Sequence, residues 1–144
     1  MTARRLALLT LLPLAVAAAG CGSSVDDESA QPAVIEHVKG SNAERVRLTA
    51  DAARRIGVQT AVVRRGGSGA EVVIPYAALL YDPDGNTWTY TNPAPLVFQR
   101  REIEVAGIDG NTVLLSKGLR AGTRVVTEGA TEIWGVEYGG IDED

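Results

Sequence analysis

Side chains able to do chemistry are few in this chain, and their types argue against catalysis. The sequence holds one His and one Cys, and the single His37 lies in a polar segment ahead of the folded part. A Ser–His pair in the folded part is therefore excluded, and so few soft ligands cannot build a metal site within one chain. Carboxylates remain, but roughly 100 folded residues are few for a glycosidase with a sugar cleft. We predict a non-enzymatic protein with no cofactor and no metal; the carboxylates considered are Glu102, Glu104, Glu128 and Glu132.

Length and charge set the broad class. A chain of 144 residues with 45% hydrophobic residues is long enough for one domain with its own core plus appendages. The formal net charge is −4, whereas a nucleic-acid-binding domain needs a basic face toward the phosphates. We therefore expect no nucleic-acid partner.

The N-terminal residues have the pattern of an export signal. Arg4 and Arg5 precede the apolar run Leu6–Ala19, and small residues follow. This run is shorter than the ~20 apolar residues of a spanning helix, and Pro13 interrupts it. We predict a signal peptide over residues 1–20.

The only Cys lies where cleavage of that signal is expected. Ala18-Ala19-Gly20-Cys21 resembles the lipobox of bacterial lipoproteins, with Ala18 where Leu is more usual. The resemblance implies that Cys21 is acylated, that membrane lipid holds the chain through Cys21, and that the protein is extracytoplasmic and lipid-anchored to the bacterial membrane. An ordinary signal peptide with an incidental Cys is the alternative. Residues 21–43, rich in Ser, Asp, Glu and Gly at their start, are predicted to be a disordered tether.

Residues 44–138 have the pattern of a small all-β domain. Short apolar or alternating runs are separated by turn residues at nearly regular intervals, which is typical of antiparallel sheets. We predict a mainly antiparallel small barrel or sandwich with one short helix, which the N-cap Thr49 and the C-terminal Gly57 delimit. Glu44–Leu48 is expected to be an edge strand. Residues 139–144 are predicted to be a loose acidic tail.

Four further segments carry specific expectations. Leu96–Val105 is predicted to be a single long strand, and Asn92-Pro93-Ala94-Pro95 to break the strand before it. Asp82-Pro83-Asp84-Gly85-Asn86 is predicted to be a hairpin turn, because the Thr and Pro that follow do not match an EF-hand calcium loop. Residues 133–138 are predicted to be a closing turn whose aromatic residues cap the core or form a ligand shelf.

Exposed aromatic and basic residues are the candidates for contact with a partner or a ligand. The strand Thr87–Thr91 alternates strictly, so that two aromatic residues share one face and the threonines the other. The next strand has a polar, mixed-charge centre, which is either a solvated face or a contact surface. The candidate contact residues are Trp88, Tyr90, Arg100, Arg101 and Trp134.

The order of short motifs is similar to that of a known family. Val73-Ile74-Pro75-Tyr76-Ala77-Ala78-Leu79 resembles the V-P-x-x-A-L start of the membrane-proximal domain of periplasmic adaptors, also called membrane fusion proteins. The resemblance covers roughly residues 47–129 and implies coupling to inner-membrane efflux or secretion transporters. Later positions that follow the family's order are Gly85, Trp88-Thr89-Tyr90, Phe98, Arg100, Gly118-Leu119, Gly122, Val125-Val126 and Gly129.

The chain departs from full adaptors in one respect. Such adaptors insert a lipoyl-like domain and often a helical hairpin where only RRGGSGAEV separates Val63 from Val73. We therefore expect a membrane-anchored lipoprotein that acts as a reduced adaptor of an efflux or export transporter. The resemblance implies a permease of the resistance-nodulation-division or ABC type as partner, and self-association in a ring. The alternative is an extracytoplasmic lipoprotein that binds a small molecule or cell-wall ligand through its aromatic residues.

Overall fold

Two antiparallel sheets that face each other form the framework. The computed structural model describes residues 31–38, 44–67 and 69–139. The elements in chain order are β1 (Ala33–Glu36), β2 (Arg45–Leu48), α1 (Ala50–Ile56), β3 (Gln59–Val62), β4 (Arg64–Arg65), β5 (Val72–Pro75), a 3-10 turn (Tyr76–Ala78), β6 (Leu80–Tyr81), β7 (Thr87–Ala94), β8 (Val97–Glu102), β9 (Glu104–Asp109), β10 (Thr112–Lys117), β11 (Arg124–Glu128) and α2 (Ala130–Gly139).

The larger sheet has the order β1-β2-β8-β7-β11-β3, with β6 added beside β7, and the smaller sheet has the order β4-β5-β10-β9. The mainly antiparallel all-β prediction is confirmed. The sheets do not close into a barrel within the described residues, because each ends in outer strands that pair on one side only. The architecture is therefore a sandwich, with helices on the outer face of its larger sheet.

Two hydrophobic clusters hold these layers together. The first lies between the larger sheet and the two helices, and the second lies between the two sheets. Strand β11 contributes to both clusters, because its adjacent residues Val125 and Val126 point to opposite faces of the sheet and each is fully buried. Val125 packs in the second cluster and Val126 in the first.

The single predicted helix forms where its local signals placed it. The hydroxyl oxygen of Thr49 accepts the backbone N–H of Ala52 at 3.1 Å, and Gly57 adopts φ 74° at the C-terminal end. Both features supply partners to helix-end groups that would otherwise lack them. A second helix, α2, replaces the predicted closing turn, and its residue Ile133 is fully buried in the first cluster.

The structure corrects four predictions about the strands, the last of them in the segment 96–105. Strand β1 lies within the predicted tether 21–43 and pairs with β2, because Ala33 is buried in the first cluster. With β1 on one side and β8 on the other, β2 is an interior strand rather than an edge strand. The predicted break at 92–95 is absent: β7 continues to Ala94 through a register shift after Thr91, which accommodates Pro93.

The predicted strand 96–105 is in fact two strands in different sheets. Ile103 separates β8 from β9, is buried in the second cluster, and donates its backbone N–H to the Thr87 carbonyl at 3.0 Å. Val63 has the same position between β3 and β4 and is also buried in that cluster. The chain thus changes sheets at two buried apolar residues, where the gain from burial favours a bend over a continuous strand.

The turn at residues 82–86 is organised by one carboxylate. Asp82 accepts backbone N–H groups from Asp84 and Asn86 at 3.0 and 2.8 Å. It also accepts the side-chain N–H groups of Asn86 and Trp88, each at 2.9 Å. The side-chain hydrogen bond from Asn86 is the main reason why the pKa of Asp82 is lowered. The turn prediction is confirmed, and Asp82 orients Trp88 toward the site described next.

Candidate functional site

Arg100 is the centre of a cluster on the helix-bearing face of the larger sheet. Its guanidinium carbon lies 4.4 Å from the ring centroid of Trp88 and 4.9 Å from that of Tyr138. Trp88 comes from β7, Arg100 from β8 and Tyr138 from the last turn of α2. A cation between two aromatic faces is attracted by both ring quadrupoles, so Arg100 links the end of α2 to the sheet.

Glu137 supplies the opposite charge. Its Oε1 atom lies 3.2 Å from Nε of Arg100, and the two side chains are only 5% and 12% exposed, respectively. The same carboxylate accepts a short hydrogen bond from the hydroxyl group of Tyr90. Charge and hydrogen-bonding capacity are therefore satisfied together in a nearly closed site.

Tyr90 lies at the buried bottom of this cluster. It is fully buried, and burial, followed by the hydrogen bond to Glu137, raises the pKa of its phenol far above the ordinary value. The folded chain thus holds the Tyr90 proton more tightly than the unfolded chain does.

The difference in the Tyr90 pKa between the folded and the unfolded chain predicts that the protein is less stable at alkaline pH. Because the pKa is raised on folding, the stability that Tyr90 contributes is complete below its unfolded pKa of about 10 and is lost as the pH rises further. We expect the free energy of unfolding of the wild type to fall above about pH 10, and that of Tyr90→Phe to fall less. Urea unfolding followed by Trp fluorescence measures both. The two curves should be parallel between about pH 7 and 9 and converge above about pH 10; curves that stay parallel throughout contradict the prediction.

The predicted contact residues fall into two groups. Trp88, Tyr90, Arg100 and Trp134 come together around the end of α2, where Trp134 packs with Tyr138 at a centroid distance of 5.8 Å. These side chains hold the helix on the sheet, and Tyr90 offers no surface to a partner. Arg101 lies apart from them, on the opposite face of β8.

Sequence reasoning missed Glu137 and placed Tyr138 in a closing turn rather than on a helix. The available signal was spacing: Ile133 and Glu137, like Trp134 and Tyr138, are four residues apart, as on one face of a helix.

Arg101 lines a groove of about 730 Å³ between the sheet face and the loop from β10 to β11. Arg120 and Arg124, which the sequence reasoning did not select, line the same groove, and we call it the arginine groove. Its lining residues are Thr91, Asn92, Pro93, Gln99, Arg101, Gly118, Leu119, Arg120, Gly122, Thr123 and Arg124.

The described residues contain no group of three or more His, Cys, Asp or Glu side chains placed to hold a metal ion. Within the same residues, no helix has the length and apolar character needed to cross a bilayer. Cys21 lies outside the described residues.

Two facing sheets, with helices on one side and a groove on the other, define a small all-β domain. Residues 71–132 match the family model described as the C-terminal permuted SH3 domain of RND membrane fusion proteins. Over this segment the predicted resemblance to the membrane-proximal domain of membrane fusion proteins is confirmed. Searches among curated proteins and among solved structures found no significant match.

The family defines a broad role. Domains of this kind belong to adaptors of efflux and secretion systems, which are non-enzymatic, periplasmic and membrane-associated. Such adaptors generally work with transporters of the RND or ABC type.

Proposed function

We propose that this chain is a membrane-anchored lipoprotein that acts as a reduced adaptor of a transmembrane efflux or export transporter. The observation that carries the proposal is the family match at residues 71–132. An RND or ABC permease is the proposed partner, and Cys21 is the proposed point of lipid attachment.

The short connection between β4 and β5 supports the proposal that this adaptor lacks a domain that full adaptors have. Full adaptors carry a lipoyl-like domain at this position, as the resemblance implies. Here Arg64 pairs with Val73 and Arg65 with Val72 in a closed antiparallel hairpin. The backbone N–H of Gly66 donates to the Glu71 carbonyl at 2.9 Å, and a Cβ atom on Gly66 would lie 2.9 Å from Leu114. Gly66 thus lies close to β10 of the same sheet.

The alternative function, binding of a small molecule or cell-wall ligand through Trp88, Tyr90 and Trp134, has less support. Tyr90 is fully buried, while Trp88 and Trp134 are half-buried and already contact Arg100 and Tyr138, respectively. A ligand on this aromatic site would have to compete with these contacts. Quenching of Trp fluorescence by cell-wall fragments would favour this alternative.

Cross-linking in intact cells, followed by mass spectrometry of the attached species, tests the adaptor proposal. We expect the wild type to capture a transporter permease and Cys21→Ala to lose it, because the unlipidated chain leaves the membrane surface. Metabolic labelling with a clickable fatty acid should mark the wild type and not Cys21→Ala. Ser24→Ala, a substitution beyond the acylation site, is the control and should behave as wild type. Capture of cell-wall fragments alone, or of no protein, contradicts the proposal.

A further inference from the structure

The arginine groove collects positive charge in a chain whose formal net charge is −4. Three of its eleven lining residues are arginines, and none is acidic. Arg101 comes from β8, Arg124 begins β11, and Arg120 lies in the loop between β10 and β11. The fold therefore brings together three cations that are separated by up to 23 positions in sequence (124 − 101).

None of these cations is neutralised within the described residues. Arg101, Arg120 and Arg124 are exposed, and within the described residues their side chains take part in no ion pair, hydrogen bond or ring contact. The neighbouring Arg100 shows the contrast, because its charge is satisfied by Glu137 on the opposite face. Like charges around one groove repel each other unless an anion enters.

The wall that carries Arg120 and Arg124 is held firmly. The backbone N–H of Gly122 donates to the Val63 carbonyl at 2.9 Å, and the N–H of Val63 donates to the Thr123 carbonyl at 2.8 Å. Gly118, at φ 108°, approaches so closely that a Cβ atom there would lie 2.5 Å from the carbonyl oxygen of Glu102. A loop fixed before binding loses little entropy when a ligand arrives.

The sheet face that lines the groove is polar at positions where a sandwich interior is normally apolar. Gln99 is only 5% exposed and Thr91 only 6%. Thr89, which lies opposite Arg101 in the β7–β8 pairing, is fully buried, and its hydroxyl oxygen lacks a partner within the described residues. The Thr91 hydroxyl group donates to the Gln99 carbonyl oxygen at 2.9 Å, and Thr89 does not line the groove, so the side-chain amide of Gln99 is the polar group that this face offers to a ligand.

We propose that the arginine groove binds an acidic peptide segment on the extracytoplasmic face of the transporter partner. This inference rests on the proposed function and adds to it the place and the chemistry of docking. Guanidinium groups match carboxylates with paired, parallel hydrogen bonds. The side-chain amide of Gln99, the amide oxygen of Asn92 and the hydroxyl group of Thr123 can meet the peptide backbone in the same groove; the amide nitrogen of Asn92 already donates to the carbonyl oxygens of Ala94 and Val97.

A peptide fits the observations better than an anionic membrane does. A bilayer presents its headgroups on a broad surface, whereas these guanidinium groups line a concave site of about 730 Å³ with a partly buried polar floor. A narrow extended chain can enter such a site with both its side chains and its backbone.

Two variants of matched charge test the inference. The groove variant carries Arg101→Gln, Arg120→Gln and Arg124→Gln. The control variant carries Arg55→Gln, Arg64→Gln and Arg65→Gln, which are also exposed and have no ion pair within the described residues. Both variants lose three positive charges from positions without internal partners, so both should fold as the wild type does.

The first measurement is the fluorescence anisotropy of labelled hexaglutamate with the full-length protein in neutral detergent. We expect wild type and control variant to bind it equally, the groove variant to bind about tenfold more weakly, and hexaglutamine not to bind. Equal affinity of all three proteins overturns the inference. Phosphatidylglycerol vesicles that bind the Cys21→Ala chain only while the groove arginines are present, without hexaglutamate binding, overturn it in favour of a membrane.

The second measurement is capture of the permease in cells. Capture by the wild type and the control variant, with a clear loss for the groove variant and cross-links at acidic residues of the permease, supports the inference. Equal capture by the groove variant overturns it and leaves the adaptor proposal intact. Binding of hexaglutamate without capture of any permease by the wild type contradicts the adaptor proposal and, with it, the transporter as partner of the groove.

Discussion

Replacing Glu137 by Gln should lower the free energy of unfolding by about 3 kcal/mol, because it removes one charge of a nearly buried pair and leaves the other. Arg100 is 12% exposed and Glu137 5% exposed, so water cannot take over the lost role. The neutral amide also replaces the charged acceptor of the Tyr90 hydroxyl group. Urea unfolding of the full chain, with Cys21→Ala to keep it free of membranes, measures the difference.

Two controls separate burial from charge. Glu104→Gln breaks the pair with Lys117, whose side chains are 56% and 73% exposed, respectively, and should cost less than about 1 kcal/mol. The double variant Arg100→Met with Glu137→Leu should recover much of the lost stability, because no charge is then buried alone. Similar losses for Glu137→Gln and Glu104→Gln would show that the Arg100 cluster does not hold α2.

Gly118→Ala should cost about 2–4 kcal/mol, since it combines backbone strain with overpacking. Gly118 has φ 108°, and an added Cβ would meet the Glu102 carbonyl oxygen at 2.5 Å and the Cα atom of Ile103 at 2.9 Å. These are backbone atoms at the corner where the chain changes sheets, so neither can move alone. Thermal unfolding of the full chain gives the loss.

Gly122→Ala is the matched comparison within the same loop. Gly122 also has a positive φ, 89°, but an added Cβ would meet nothing within 4 Å. Only the conformational strain remains, and we expect a loss of about 1 kcal/mol. Equal losses at the two positions would mean that the close approach at Gly118 does not constrain the fold.

Local chemistry explains what the sequence could predict. A cap such as Thr49, a positive-φ residue such as Gly57, or a carboxylate such as Asp82 acts within a few residues. Neighbouring positions in the sequence therefore predict its structural effect, and the helix and the hairpin turn at 82–86 followed from such signals.

Tertiary burial explains what the sequence could not predict. Nothing local to Ile103 distinguishes a bend from a continuing strand; the second cluster supplies the reason. The different surroundings of the candidate contact residues could not be predicted for the same reason. Arg100 and Arg101 are adjacent and chemically identical, yet one is neutralised by Glu137 and the other lines a groove on the opposite face. Only the register of β8 against β7 decides which of the two arginines faces Glu137 and which faces the groove.

The position of β1 in the sequence also limits the distance between the domain and the membrane surface. If lipid is attached at Cys21, only residues 22–32 lie between the anchor and the first residue of the sheet. Twelve Cα-to-Cα steps extend at most about 40 Å. The search for a permease is then a diffusion in two dimensions within a thin layer above the lipid. At that range the effective local concentration of the partner is high, and a contact of modest intrinsic affinity is sufficient for stable engagement.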